Sequence, residues 1–260
     1  VNRSAAAGKG FITHSSGNHG AALAWAAAQI GEKANIIMPS NAPATKIEAV
    51  KQYGGRITFC EPTLEAREST AAEVQAQTGA VLIHPYDNYD IIAGQATATM
   101  ELLDECPDLE WIFVPVGGGG LLAGAALANH YFGHAKVVGC EPINAGDAHE
   151  SVVSGNWTPV QNPNTIADGL RTSLGLRNFP LIKELVAEIT LLTEAEIAEG
   201  WSFIVSRMKQ YIEPSAGVGV AAALKHFKKH QKDSLSTKTN AGIILCGGNM
   251  DVHIPSNWNL

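Results

Sequence analysis

Residues 11–20 read Phe-Ile-Thr-His-Ser-Ser-Gly-Asn-His-Gly and run directly into the alanine-rich segment 21–30. The apolar start predicts a strand, and the small polar residues that follow predict the start of a helix. The first turn of such a helix has unpaired backbone N–H groups and a positive dipole end, which favour a bound anion. Ser15, Ser16 and Asn18 can equally serve as a turn and a helix cap. The spacing alone leaves both interpretations open.

The rest of the chain alternates between short apolar runs rich in branched residues and longer segments of helical period. This alternation predicts an α/β fold of two lobes, each with a parallel sheet flanked by helices. The predicted strands are Phe11–His14, Asn35–Pro39, Arg56–Cys60, Val81–His84, Trp111–Val116, Lys136–Glu141 and Gly242–Cys246. The predicted helices are Ala21–Ile30, Ala44–Tyr53, Leu64–Gln77, Ile91–Leu103, Leu121–Asn129, Glu194–Gln210 and Ala216–His230, with a loop-rich region after Glu141. A division between the lobes is expected in the polar segment Pro85–Asn88.

The composition is that of a folded protein with a large core and little affinity for nucleic acid. Of the 260 residues, 45% are hydrophobic and 17% are charged, which suits one large or two moderate domains. A net charge of −7 argues against a broad surface for DNA or RNA. The cysteines are scattered without C-x-x-C spacing, which predicts a reducing, cytoplasmic setting. Glycines and a proline interrupt the long uncharged stretch 111–135, so no membrane span is predicted.

A second polar junction is Gly117–Gly120, directly after the apolar run 111–116. Each glycine in an ordered backbone costs roughly 0.5–1 kcal/mol relative to alanine, so four in a row indicate a special requirement. Without side chains, backbone N–H groups can converge on a phosphate at a helix start. The segment also fits a relaxed dinucleotide fingerprint, and the next strand ends in the acidic Glu141. NAD therefore stays an alternative at this point.

The third junction, residues 246–249, reads Cys-Gly-Gly-Asn and follows the apolar run 242–245. Cys246 is interpreted either as a small buried apolar residue or as a thiol that faces a ligand.

Eight motifs in register resemble the serine racemase and serine/threonine dehydratase family of fold-type II pyridoxal-phosphate enzymes. The likeness covers almost the whole chain and is strongest to the eukaryotic-type racemases. The motifs are Thr-His-Ser-Ser-Gly-Asn-His-Gly, His84-Pro85, Ile92-Ala93-Gly94-Gln95, Val114-Pro115-Val116 with the glycines, Glu141-Pro142, Ile166-Ala167-Asp168-Gly169, Ile212-Glu213-Pro214 with Ala216-Gly217, and Gly247-Gly248-Asn249. The resemblance implies a fold like that of the tryptophan synthase β-subunit and an enzyme that racemises serine and eliminates water from it to give pyruvate and ammonia.

The resemblance also assigns residues to the cofactor, pyridoxal 5′-phosphate, and to an amino-acid substrate. The cofactor residues are Asn18 at the phenolic oxygen, Gly117, Gly118, Gly119, Gly120 and Leu121 at the phosphate, and Glu213 and Cys246 near the pyridine ring. The substrate residues are Ser15, Ser16, Asn18, His19, Arg67 and Thr172. Ser16 is the implied catalytic acid and base, on the ring face opposite the lysine that binds the cofactor as a Schiff base in this family. A neutral thiol at position 246 supports a protonated ring nitrogen less well than an aspartate does, which favours loss of a β-hydroxyl over transamination.

A divalent-cation site is implied at Glu141, the Ala145 carbonyl and Asp147. An oxygen-only ligand set suits Mg²⁺, or Ca²⁺ or Mn²⁺, rather than zinc. The alternative is a polar loop after a strand. The resemblance further implies a homodimer.

The sequence departs from the family's pattern at three places. Tyr86 replaces an asparagine of mammalian racemases, and aromatic residues there are typical of dehydratase relatives, so threo-3-hydroxyaspartate dehydratase is an alternative function. Ala21 replaces a glutamine of the mammalian ATP site, although Lys46, Tyr53 and Asn249 match other members, so regulation by ATP is doubtful.

The third departure concerns the family's Schiff-base lysine, which lies in a Ser-Phe-Lys-x-Arg-Gly segment upstream of the first motif. No lysine of this sequence has that context. We therefore expect residues 1–9 to be a remnant of the large domain, 10–87 the small domain and 88–260 the large, cofactor-binding domain. The expectation for this chain is inactivity without the lysine, which leaves a truncated, noncatalytic binding protein as another alternative.

Overall fold

The computed structural model describes residues 3–6, 8–15, 17–230 and 239–250. These residues divide into two compact units. The first contains the described residues up to Pro85 together with Asn249 and Met250, which the sequence had placed in the second domain. The second contains the described residues from Tyr86 to Gly248. None of the described helices combines the length and apolar character needed to cross a membrane.

The first unit is a four-stranded parallel sheet with helices between its strands. In chain order its elements are α1 (Arg3–Ala6), β1 (Phe11–His14), α2 (Asn18–Gln29), β2 (Ala34–Pro39), α3 (Ala44–Gln52), β3 (Arg56–Cys60), α4 (Leu64–Thr78) and β4 (Val81–Leu82). The strand order is β3-β2-β1-β4, and all three pairings are parallel. The two central strands, β1 and β2, are the most buried, as expected of strands covered on both faces.

The second unit repeats this architecture on a larger scale. Its elements are α5 (Tyr89–Glu105), β5 (Trp111–Pro115), α6 (Gly120–Phe132), β6 (Lys136–Pro142), α7 (Asp147–Ser154), α8 (Asn178–Leu185), β7 (Glu188–Leu192), α9 (Glu194–Phe203), α10 (Pro214–His230) and β8 (Ala241–Ile243). Short 3₁₀ turns occur at Ile143–Ala145 and Asp168–Leu170, and one π-helical turn, Ile204–Met208, follows α9. The strand order is β7-β6-β5-β8, again with parallel pairing.

Strand β5 is buried on both faces, and its side chains alternate between two hydrophobic clusters. Ile112 and Val114 pack in one cluster with Leu122 of α6. Phe113 packs in the other with Leu192 of β7 and with α10. Each cluster contains residues with no exposed surface. A polar side chain along β5 would have no water on either side, so polar chemistry is confined to the strand's end.

The structure confirms the α/β class and most predicted elements, and it corrects several boundaries. Of the predicted strand 81–84 only Val81–Leu82 is paired, and the last strand is Ala241–Ile243 rather than 242–246. The predicted helix 194–210 ends at Phe203. The region predicted as loop-rich contains α7 and α8, and β7 was missed. These elements are only five to eight residues long, so a sequence pattern covers too few residues to define them.

Candidate active site

In the first unit, the polar residues of the opening motif lie at the carboxyl end of β1. The Ser15 hydroxyl accepts a hydrogen bond from the Gly17 backbone N–H at 3.2 Å, and α2 begins at Asn18. Lys46 is buried and its aliphatic chain crosses Gly17, where an added Cβ would lie 2.3 Å from the lysine Cδ. Ser16, the proposed catalytic residue, lies outside the described residues.

Three histidines gather at the same end of this sheet. The rings of His14 and His84 meet edge to face with centroids 5.1 Å apart. Burial, followed by the charges of His84 and Arg67, lowers the pKa of His14 to about 4. Burial also lowers the pKa of His19 to about 4, although its ring donates a hydrogen bond to the Ile83 carbonyl. Both histidines are therefore neutral at pH 7.

Neutral His19 presents a lone pair rather than a second donor. One ring nitrogen donates to Ile83, and Nε2 is buried with no hydrogen-bond partner among the described residues. In the neutral tautomer that nitrogen accepts hydrogen bonds. A carboxylate offers only acceptors, so His19 is better suited to a hydroxyl or ammonium group than to the carboxylate that the resemblance gives it.

Asn18 is hydrogen-bonded to Asn249, which lies 231 residues further along the chain. Asn249 Nδ2 donates to Asn18 Oδ1 at 2.8 Å. This bond fixes the oxygen of the Asn18 amide toward Asn249, so the amide nitrogen points the other way. Arg67, in α4, donates through Nε to the Thr63 carbonyl at 3.3 Å, and its charge acts on His14.

In the second unit, the glycine loop lies between β5 and α6. Gly119 has φ +88°, a left-handed conformation that favours glycine. Among the described residues, the backbone N–H groups of Gly117, Gly118, Gly119 and Gly120 donate to no protein acceptor. Four unpaired donors at a helix N-terminus fit a phosphate.

The same glycines are also required by packing, a reason that the sequence did not reveal. A Cβ on Gly118 would lie 2.2 Å from Cγ of the Tyr86 ring, and one on Gly117 would lie 2.9 Å from Leu170 Cα. Thr172 Oγ1 would be 3.2 Å from the latter Cβ. The loop is therefore in close contact with protein, and Thr172, which the resemblance assigns to the substrate, lies beside Gly117.

A further missed residue, Asn178, contacts this loop at the start of α8. It is completely buried, and its Nδ2 donates to the Gly118 carbonyl at 2.6 Å. Sequence inspection gave no signal for it, because its partners are distant in the chain.

Residues 166–169 pack against the motif around Glu213. The Gly169 N–H donates to Ser215 Oγ at 3.0 Å, and a Cβ on Gly169 would lie 3.3 Å from Glu213 Oε1. Glu213 is 3% exposed. Desolvation of the thiol, and then the Glu213 carboxylate, raise the pKa of Cys246 to about 11. The thiol is thus neutral at pH 7, although the residue retains exposed surface.

The implied cation ligands lie between β6 and α7. Glu141 is completely buried, and its two oxygens accept the backbone N–H groups of Ala148 and His149, both at 2.9 Å. Asp147 Oδ2 accepts the Leu174 N–H at 2.7 Å, while its Oδ1 is buried and has no partner among the described residues. Burial raises the pKa of Glu141 to about 8 and that of Asp147 to about 6.

A cavity of about 430 Å³ adjoins Asp147. Ala145, Asp147 and Glu150 are among its lining residues. The described residues contain no group of three or more His, Cys, Asp or Glu side chains placed to hold a metal. Two carboxylate side chains and a backbone carbonyl form a smaller ligand set, which suits an oxygen-ligated cation that keeps several waters.

Comparison with known proteins agrees with the class that fold and site define, a fold-type II pyridoxal-phosphate enzyme. The family described as "Pyridoxal-phosphate dependent enzyme" matches residues 2–247. Serine racemase of Oryza sativa subsp. indica is 41% identical over 249 residues, which are 95% of this chain and 73% of the relative. The maize serine racemase structure superposes with a TM-score of 0.90 at 40% identity, covering 96% of this chain and 76% of that one. A threonine deaminase from T.th. gives a TM-score of 0.86 at 36% identity, covering 95% of this chain and 79% of that one.

The chain therefore belongs to the pyridoxal-phosphate-dependent enzymes, in the group of serine racemases and serine/threonine dehydratases. The residues present fit the cofactor. The unpaired N–H groups of the glycine loop match a phosphate, and the neutral thiol of Cys246 matches an unprotonated ring nitrogen. The dinucleotide alternative is not needed to explain the loop.

The lowered histidine pKa values predict a loss of stability in acid. Between pH 6.5 and about 4 the unfolded chain binds protons at His14 and His19 while the folded chain does not. The free energy of unfolding should therefore fall as pH decreases through this window, by up to about 1.4 kcal/mol per pH unit for each histidine. Urea unfolding of wild type and His14→Asn between pH 7 and 4.5 measures this, and the variant should show a slope lower by about 1 kcal/mol per pH unit.

The control is His134→Asn, because His134 is an exposed residue of the second unit. This variant should retain the wild-type slope. An unchanged slope in His14→Asn would show that His14 does not titrate as described.

Proposed function

We propose that this protein racemises serine and eliminates water from serine or threonine, with pyridoxal phosphate as cofactor. The observation that carries the proposal is the glycine loop after β5, whose N–H groups have no acceptor among the described residues. The named relatives, a serine racemase and a threonine deaminase, support the two activities. A homodimer and a cytoplasmic location belong to the same proposal and rest on the family resemblance and the cysteine usage.

Pyridoxal phosphate, when bound, withdraws electrons from the α-carbon of an amino acid and so permits loss of its α-proton. In this proposal, Ser15 and the N–H groups at the start of α2 bind the substrate carboxylate. Asn18 contacts the phenolic oxygen through its amide nitrogen, since its oxygen faces Asn249. Neutral His19 accepts a hydrogen bond through Nε2. Thr172, beside Gly117, completes the polar surroundings of the loop.

The neutral Cys246 thiol bears on which reaction is favoured. Its raised pKa keeps it from supplying a negative charge to the ring nitrogen. A less strongly electron-withdrawing ring suits departure of a β-hydroxyl group and disfavours transamination.

We further propose that the Ser16 hydroxyl moves a proton to and from the α-carbon on the ring face opposite the lysine. Ser16→Ala should then abolish formation of D-serine from L-serine, because no other group is proposed on that face, while pyruvate formation persists. Chiral chromatography for D-serine and a coupled assay for pyruvate measure the two products in a preparation that turns over L-serine.

Ser15→Ala is the matched control. Its hydroxyl is proposed only to bind the carboxylate, so both products should fall together, by about tenfold. Wild-type racemisation in Ser16→Ala would refute the proposed role of Ser16.

A second candidate function is threo-3-hydroxyaspartate dehydratase, which Tyr86 favours. Its ring packs on Gly118 of the proposed phosphate loop, in the position where dehydratase relatives carry aromatic residues. The ratio of kcat/KM for threo-3-hydroxyaspartate to that for L-serine decides between the candidates. A ratio above one supports the hydroxyaspartate enzyme.

A third candidate is a chain that binds the cofactor without turnover, favoured by the absence of a lysine in the family's sequence context. Incubation with pyridoxal phosphate, borohydride reduction and peptide mass spectrometry test it. If the chain binds the cofactor without turnover, no lysine should carry a pyridoxyl group after reduction. A pyridoxyl adduct on a lysine would exclude this third candidate.

We also propose a divalent-cation site formed by Glu141, Asp147 and the Ala145 carbonyl, with Mg²⁺ as the first choice. The buried, unpaired Oδ1 of Asp147 supports it. So does the raised pKa of both carboxyl groups, since a cation supplies the charge that burial leaves uncompensated.

Mg²⁺ added to chelator-treated protein should raise its thermal midpoint. At one hundred times the dissociation constant, the gain in unfolding free energy is about 2.7 kcal/mol. The response should be larger at pH 8 than at pH 6, because Glu141 must lose its proton to bind the cation.

Glu141→Gln should abolish the response, whereas Glu150→Gln, at an exposed carboxylate of the adjoining cavity, should retain it. Equal responses in wild type and Glu141→Gln would rule out the proposed ligand set.

A further inference from the structure

The carbonyl of Gly118, in the middle of the glycine loop, accepts hydrogen bonds from two donors, one just before α8 and one at its first residue. The Gly175 backbone N–H donates to it at 3.0 Å, and Asn178 Nδ2 donates to it at 2.6 Å. Asn178 Nδ2 also donates to the Tyr86 carbonyl at 3.2 Å. One side-chain amide therefore joins the glycine loop to the segment whose aromatic ring packs on it.

Holding this carbonyl fixes the direction of the next N–H group. The Gly118 carbonyl and the Gly119 N–H belong to one planar trans peptide unit, in which the C=O and N–H bonds point in opposite directions. With the carbonyl directed at Asn178, the Gly119 N–H is directed away from α8. That N–H group has no acceptor among the described residues. Gly119 itself adopts φ +88°. The hydrogen bonds to the Gly118 carbonyl and this backbone angle together fix the orientation of the peptide unit between Gly118 and Gly119.

The orientation of the Asn178 amide is determined by its partners. Both contacts are carbonyl oxygens, which only accept, so the NH₂ group must face them. As a result Asn178 Oδ1 is buried and has no partner among the described residues. An apolar residue would fill this completely buried position without leaving an unpaired oxygen. The two donated bonds are therefore what the asparagine contributes.

Further contacts fix the segment that contains Tyr86 relative to the start of α8. The Arg177 N–H donates to Asp87 Oδ1 at 2.8 Å, and its Nη1 lies 3.2 Å from Asp87 Oδ2. Asp87 and Arg177 are the chain neighbours of Tyr86 and Asn178. The Asn178 amide is thus presented to Gly118 from a backbone fixed on both sides.

We propose that Asn178 is a positioning residue that directs the Gly119 N–H toward the phosphate group of the cofactor. This inference rests on the proposed function of the glycine loop. According to this inference, a buried side chain of α8 strengthens phosphate binding, in addition to any contribution that it makes to folding.

The experiment compares the binding of pyridoxine 5′-phosphate with that of pyridoxine, by ligand fluorescence. Neither ligand has an aldehyde, so binding needs no covalent bond to a lysine. The dissociation constant of pyridoxine divided by that of pyridoxine 5′-phosphate measures the contribution of the phosphate group. Wild type should bind the phosphorylated ligand more tightly, by a factor of at least about one hundred for several charge-assisted bonds.

Asn178→Asp should lower this ratio about tenfold, because the donor is lost and the Gly118 carbonyl is repelled. The aspartate also brings negative charge, so Asn178→Ala is the second variant. It removes the donor without adding charge and should lower the ratio about threefold, since the Gly175 N–H still holds the carbonyl. In both variants the affinity for pyridoxine should stay at the wild-type value, which also shows that the protein is folded.

Asn129→Asp is the matched control for a purely structural role. Asn129 is also buried in the second unit, and its Nδ2 donates to the Ala135 carbonyl at 2.7 Å. The control should lower the thermal midpoint and keep the wild-type ratio of dissociation constants. If Asn178→Asp fails to fold, the ratio measured for Asn178→Ala decides the matter.

Wild-type ratios in both Asn178 variants would overturn the positioning role, and so would an equal loss in Asn129→Asp. A different result bears on the proposed function instead. If wild type itself binds both ligands equally, then the glycine loop is not a phosphate site, and the positioning role falls with it.

Discussion

Burial of both faces of β5 is the constraint on which the second unit depends. Its residues alternate between two hydrophobic clusters, one beneath α6 and one beneath α10. No polar side chain can lie along such a strand without losing its hydration. Polar contacts can begin only where the strand ends, and there the chain turns through four glycines into α6. The core thus confines polar contacts to the end of the strand, and the glycine loop there has backbone N–H groups that are suited to the proposed phosphate.

The carboxyl end of β1 in the first unit likewise carries polar residues after a buried strand, but here the polar residues include histidines. The histidines that gather there are neutral because burial opposes their protonation. The Cys246 thiol of the second unit is also neutral. None of these three side chains therefore contributes a charge at pH 7, and in the proposed sites an anion would be attracted mainly by backbone N–H groups and helix ends. Fixed dipoles of this kind need little reorganisation when a ligand binds.

The sequence was sufficient to predict the fold class, most of the strands, and the three junctions at strand ends. These features depend on local patterns of apolar and small residues. The elements α7, α8 and β7 were missed because each is at most eight residues long. Asn178 was missed for another reason. Its partners Tyr86 and Gly118 lie 92 and 60 residues away, so its contact with the loop exists only after the sheet has formed. The placement of Ser16 stays a prediction.

The packing of Tyr86 on Gly118 has a consequence for how this protein can vary. An added Cβ at position 118 would lie 2.2 Å from the tyrosine Cγ, so any larger residue there requires a smaller one at position 86. An aromatic residue at position 86 should therefore occur only with glycine at position 118, whereas glycine at position 118 tolerates residues of different sizes at position 86. An ancestor could exchange its aromatic residue at position 86 freely only while position 118 remained glycine. A side chain at position 118 is thus compatible with this contact only after the ring at position 86 has been lost.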